Sequence, residues 1–234
     1  MQRLKIFKRT GLTIILRLCA ILCSTTGIVI CLINARFDGY SHWTKRLLYF
    51  TTQSNLWLVA IKIISLLKIR KPNRTVYVAD YVFTVNITLT GIIFTFLLAP
   101  FADASYHVWS VSSYLTHVLA PIFAVADFFF SVKNFRLNKK EIFYCLIPGL
   151  TYSLLTFMLT FVGLDFGRGE NYPYFFYNYF SPAKLLGFSN IFPFYMGTFY
   201  WIVIICSLML MFGWAYAKLS NLATNKNKSF DINA

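Results

Sequence analysis

Residues 11–34 read GLTIILRLCAILCSTTGIVICLIN, and this run decides the fold. A single charge, Arg17, interrupts it. About 20 mostly apolar residues suffice to cross the hydrocarbon core of a bilayer as a helix. Basic residues precede the run, as they would in a secretion signal. The run is too long for the apolar region of such a signal, and no clear small-residue cleavage site follows it. It reads as a first transmembrane helix that stays. Five further stretches qualify, at 47–67, 76–99, 108–132, 141–163 and 188–217. The last is long, and 188–194 is equally readable as an interfacial approach to a span starting near Tyr195.

Composition agrees. Of 234 residues, 58% are hydrophobic and only 13% are charged, about half the charged share of an ordinary soluble domain. A soluble core cannot hide that much apolar surface, and lipid can. The net charge of +14 does not point to nucleic acid, because the basic residues stand in short clusters between the apolar runs. One set of loops holds Arg3, Lys5, Lys8 and Arg9, then Arg70, Lys71 and Arg74, then Lys133, Arg136, Lys139 and Lys140, then Lys218, Lys226 and Lys228. The alternate loops hold Arg36, Lys45 and Arg46, then none between Pro100 and His107, then Arg168 and Lys184. The heavier set belongs inside. The expectation is an all-α, single-domain bundle of six transmembrane helices over 1–218, with a polar, disordered cytoplasmic tail over 219–234. It is placed in the cytoplasmic membrane with both termini cytoplasmic.

The five cysteines, Cys19, Cys23, Cys31, Cys145 and Cys206, all lie in apolar runs and form no CxxC pair. They read as small apolar fillers, and neither a metal nor a cofactor is expected. The longest loop, 164–187, carries Tyr172-Pro173-Tyr174-Phe175-Phe176-Tyr177. Aromatic rings with polar edges favour the membrane–water interface, so this loop is expected on the outer surface as a lid.

Polar groups inside a bilayer face the bundle interior and often mark function. At about 100° per residue, Thr51, Asn55 and Lys62 share one side of the second helix. Thr52, Gln53 and Ser54 complete a dense polar patch there. The third helix carries Asp80, Thr84, Thr88, Gly91 and Thr95 on one side. The fourth carries Ser110, Ser113, His117 and Ala124, with Asp127 on the flank. Depth sorts these groups into two layers. Lys62, Asp127 and Arg17 lie near the inner ends, where Asp127 is the natural partner for Lys62 or Arg17. The threonines, Asn55 and His117 lie further out. Threonine and serine in membrane helices commonly just pack or bond to backbone, and intramembrane lysine and arginine also snorkel. The functional alternative is a nucleophilic threonine, Thr51 or Thr52, with His117 as its base and Asn55 or Gln53 as hydrogen-bond donors to an oxyanion.

The segment Tyr49-Phe50-Thr51-Thr52-Gln53-Ser54-Asn55-Leu56 resembles the "YFTIQSNL" signature of the bacterial Pr6Pr family of six-helix membrane proteins. Leu115-Thr116-His117-Val118-Leu119-Ala120-Pro121, followed by Asp127, resembles that family's second signature, and Tyr172-Pro173 a third. That family is similar to the eukaryotic androgen-induced and androgen-dependent membrane proteins. Those hydrolyse fatty acid esters of hydroxy fatty acids with an intramembrane threonine and histidine. The resemblance implies His117 as the histidine. It implies Thr51 as the threonine when matched to the bacterial signature and Thr52 when counted back from Asn55-Leu56; helical facing favours Thr51, which aligns with Asn55 and Lys62. Gln53-Ser54 departs from the eukaryotic pattern. The leading expectation is therefore a lipid-ester hydrolase whose partners are the bilayer and a lipid ester. The alternatives are a small transporter or ligand-binding membrane protein, and a structural protein whose polar stripes are packing seams.

Overall fold

The computed structural model describes residues 2–101, 108–131 and 135–232, with side chains described over 10–101, 108–131 and 135–225. His107, Lys133 and the side chains of Arg3, Lys5, Lys8, Arg9, Lys226 and Lys228 lie outside these ranges. Six helices are long and apolar enough to span a membrane. They are α1 (Gln2–Ile33), α2 (Phe50–Leu67), α3 (Arg74–Phe101), α4 (Val111–Phe130), α5 (Lys139–Phe161) and α6 (Thr198–Ile232). No strand occurs among the described residues, only two isolated bridges. An even number of crossings leaves both termini at one end of the bundle, here the terminal end; the other is the loop end.

Local chemistry starts the helices where turn residues stand. Asn73 caps α3, its side-chain oxygen accepting from the backbone of Thr75 at 2.7 Å, and Ser110 caps α4 through Ser113 at 3.2 Å. In the first turn of α5, the Glu141 carboxylate accepts from the Asn138 backbone at 2.7 Å and from Arg74 at 2.7 Å. This ties the start of α5 to the start of α3. Half of the α3 span is buried, the largest share of the six, and α3 is accordingly the central helix. Its Tyr81 hydroxyl donates to the Gly213 carbonyl of α6 at 2.8 Å. Its Asn86 amide donates to the Cys145 carbonyl of α5 at 3.2 Å.

Two boundaries differ from the sequence reading. The last span begins at Thr198, later than both 188 and Tyr195. The stretch before it closes on itself through the Phe188–Met196 bridge and the Gly197 N–H to Gly187 carbonyl bond of 2.9 Å. Apolar composition there reflects an interfacial turn, not a helix. At its other end α6 continues to Ile232, where composition predicts a disordered tail from 219. The helix persists because its polar side chains find partners. Asn221 exchanges two 2.8 Å hydrogen bonds with the Leu137 backbone, and Ser220 and Thr224 are buried.

Inside the bundle the layers are distinct. Near the terminal end, Tyr81 and Phe128 pack with Tyr216, Leu137 and Cys145. At the same height their chain neighbours Asp80 and Asp127 belong to an ionic layer. Lys62 Nζ lies 2.7 Å from Asp127 and 2.7 Å from Asp80, and Arg17 Nε lies 3.1 Å from Asp127. Arg17 also donates to Ser131 Oγ at 3.4 Å. Two cations meet two anions, drawn from α1, α2, α3 and α4. The predicted Lys62–Asp127–Arg17 layer is present, with Asp80 as a fourth member that the sequence reading assigned only to a polar stripe. Above it Leu58, Ile87, Ala120 and Ala124 form a dry apolar layer. Beyond that lie the polar groups of the loop end.

Removing one partner of a buried ion pair strands the other. Lys62→Met and Asp127→Ala are each expected to lose about 3–5 kcal/mol of stability, read as a lower thermal midpoint in detergent. Lys45→Ala, at the partly exposed loop end, should lose less than about 1 kcal/mol. Equal midpoints for the two classes would show that the ionic layer does not hold the bundle.

Candidate functional site

A cavity of about 310 Å³ opens among α1, α2, α3 and α4 at the loop end. Thr51, Thr52 and His117 all line it, together with Ser110, Ser112, Ser113 and Thr116. The loop after α5 roofs it with Arg168, Tyr172 and Tyr174. The two candidate threonines and the histidine thus share one space. No hydrogen bond joins His117 to either threonine among the described residues.

The helices are irregular where the site is built. α4 contains a π-helical turn at Leu115–Leu119, and α3 has one at Phe94–Leu98. Such turns are uncommon and gather at functional sites. The α4 turn has a local cause. Pro121 has no N–H to offer the His117 carbonyl, so the regular ladder fails there. The Ala120 N–H instead reaches back to Leu115, which releases the Thr116 carbonyl. A released carbonyl inside a membrane needs a partner. Asn55 supplies it, its amide nitrogen donating to Thr116 at 3.3 Å and to the Thr51 carbonyl at 2.9 Å. Opposite, Gly91 leaves room: a Cβ there would lie 2.6 Å from the His117 carbonyl and 3.3 Å from Pro121.

The His117 ring stacks flat on Phe94, with centroids 3.7 Å apart and planes 8° from parallel. Its Nδ1 is buried without a hydrogen-bond partner. Phe94 is in turn met edge-on by Trp109. The stack holds the ring in one plane at the cavity wall.

The threonines differ. Thr51 is engaged by Tyr174, whose hydroxyl lies 3.3 Å from both the Thr51 backbone nitrogen and its Oγ1. Thr52 is buried, at 4% exposure, and its hydroxyl makes no hydrogen bond among the described residues. Burial pushes the Tyr174 phenol up to about 12, against the lowering effect of its bonds to Thr51. The hydroxyl therefore keeps its proton at neutral pH and can donate it.

The other predicted residues stand elsewhere. The Asn55 amide is held by two backbone carbonyls. Gln53 donates to the Leu47 carbonyl at 3.1 Å. Neither lines the cavity, and both expected oxyanion donors are spent on backbone carbonyls. Lys62, Asp127 and Arg17 belong to the ionic layer below. The loop 164–187 does fold over the bundle end. Arg168 Nε donates to the Asp38 carbonyl at 2.8 Å, Lys45 donates to the Asp165 carbonyl, and Thr160 holds the Asn171 carbonyl at 2.9 Å. Arg46 pairs with Asp38 and sits over the Tyr40 ring, 4.1 Å from its centroid. Spacing along the sequence does not point to Tyr174, Arg46, Asp38 or Arg168 as site residues. Only the aromatic run around Tyr174 gives a signal, as part of a loop expected to form an outer lid. Among the described residues no group of three or more His, Cys, Asp or Glu could hold a metal ion.

Comparison with protein-family models, curated proteins and solved structures finds no match.

The close approach at Gly91 has a measurable consequence. Gly91→Ala should destabilise the protein by about 1–3 kcal/mol, as overpacking does. Gly149→Ala meets only the flexible Met209 side chain and should shift stability by less than about 1 kcal/mol. Matching thermal midpoints for the two variants would contradict the tight α3–α4 contact.

Proposed function

We propose that the protein is a membrane-embedded hydrolase of fatty-acyl esters, with Thr52 as nucleophile and His117 as its base. The observation that carries this reading is the shared cavity. It is lined by both Thr52, whose residue is buried, and His117, whose Nδ1 is without a partner, inside a bundle of six helices apolar enough for a membrane. Threonine is a weak nucleophile unless a base takes its proton. In the proposed reaction Thr52 Oγ1 attacks the acyl carbonyl carbon while His117 accepts the hydroxyl proton. Tyr174, protonated and on the cavity wall, donates to the developing oxyanion. Collapse of the intermediate breaks the ester bond, and the alcohol leaves with the proton from His117. Water, deprotonated by His117, then attacks the acyl carbon; the acyl–Oγ1 bond breaks, His117 returns the proton to Thr52, and the fatty acid leaves.

The resemblance of residues 49–56 and 115–121 to a family related to lipid-ester hydrolases supports the same reading. The stronger basic charge of the loops at the terminal end supports a cytoplasmic placement of both termini. Thr52 is preferred over Thr51 because Tyr174 already engages Thr51.

Detergent-purified protein is expected to hydrolyse long-chain p-nitrophenyl esters. Thr52→Ala and His117→Ala should each lower kcat/KM by about 10²-fold or more, as loss of a general base does. Thr51→Val should retain most activity. Full activity in both the Thr52 and His117 variants would sink the mechanism.

A second reading rests on a second cavity. About 130 Å³ at the terminal end is lined by Arg17, Asp80, Lys68 and Tyr77, and the dry layer of Leu58, Ile87, Ala120 and Ala124 separates it from the first. Two cavities on opposite sides of a dry layer suit a small-solute carrier. Solute uptake into proteoliposomes with no ester turnover would select that reading.

A further inference from the structure

We infer that the lipid-facing groove between α3 and α4 holds the acyl chain of a membrane lipid ester, with the ester end at His117. This rests on the hydrolase reading and names the substrate's binding mode.

The groove is a space of about 500 Å³, separate from the cavity. On α4, His117, Pro121, Val125 and Phe129 line it at four-residue intervals, which is one face of a helix. Gly91 and Thr95 line the α3 side. Its rim is open: Ile122 is 55% exposed and Phe96 is 73% exposed. In a bilayer such a face meets hydrocarbon, so an acyl chain is the occupant the surroundings supply. A helix-packing partner would need a complementary face.

Continuity gives the groove a function. His117 lines both the groove and the cavity that contains Thr52. The π-helical turn at Leu115–Leu119 and the glycine at position 91 place the imidazole at this junction. From His117 to Phe130 the α4 wall is about 20 Å long at the usual helical rise. His117 stands six residues in from the loop end of α4, about 9 Å at the same rise, so a long, unbranched chain in the groove runs from there past the bilayer midplane, while the carbonyl end turns past His117 into the cavity. A lipid substrate reaches the site sideways from the bilayer without crossing the aqueous roof.

The test uses full-length protein reconstituted into phosphatidylcholine vesicles containing a phosphatidylcholine with a photoreactive, clickable palmitoyl chain. Illumination followed by peptide mapping is expected to label 117–130 in excess over the lipid-facing surface of α5, which serves as the internal reference. Ala126 lines the groove, and Ala126→Phe should fill it. That variant should reduce labelling of 117–130 relative to α5, and should lower turnover of p-nitrophenyl palmitate relative to the butyrate by about tenfold. Even labelling of 117–130 and α5 would mean ordinary boundary lipid and would overturn the inference. So would chain-to-chain crosslinks at this face. Groove labelling without ester turnover supports the groove and sinks the hydrolase. Turnover with even labelling sinks the groove and leaves the hydrolase standing.

Discussion

The Lys62 ammonium, wholly buried between Asp80 and Asp127 at 2.7 Å each, is the contact on which the rest of the bundle depends. A charge at this depth is tolerated only when paired. Lys62 on α2 therefore requires a carboxylate from α3 and another from α4. The second carboxylate in turn draws Arg17 from α1. Four helices are fixed in rotation and in height by one neutral set of four charges. Buried ionic groups are better attested as devices that specify register than as sources of stability, and the geometry here suits that role.

Register at this layer sets what meets at the loop end. Asn55 stands two turns above Lys62 on α2 and Thr116 three turns above Asp127 on α4. With the lower layer held, the Asn55 amide is delivered to the Thr116 carbonyl. That carbonyl is available only because the α4 ladder slips by one residue ahead of Pro121. Ser54 and Thr90 join α2 to α3 at the same height, 3.1 Å apart. The site is thus a set of backbone irregularities satisfied by side chains from neighbouring helices. A membrane interior demands this, since no water is there to satisfy them.

Above these contacts, the loop after α5 acts as a roof anchored by its aromatic rings. Tyr174, Phe176 and Tyr177 of the loop pack against Tyr152 of α5, with Tyr177 bonded to Ser153 at 2.6 Å. This packing carries the Tyr174 hydroxyl to Thr51. It makes the two adjacent threonines chemically unequal, one engaged by the roof and one left facing the cavity.

Hydropathy over 11–34 and its five successors was enough to establish an all-helical, six-span membrane protein, because a bilayer allows few alternatives to a long apolar helix. Helical facing was also enough to put Arg17, Lys62 and Asp127 in one layer toward the terminal end and the threonines with His117 in another, because rotation and depth follow from residue spacing alone. Tertiary structure decided the rest. Asp80 entered the ionic layer, Asn55 proved to be bound by two carbonyls, and Thr52 separated from Thr51. The continuation of α6 past 218 followed from Asn221 meeting the Leu137 backbone. Each of these depends on a partner distant in the chain or on a slip in a helix ladder. A periodic pattern read along one helix contains neither.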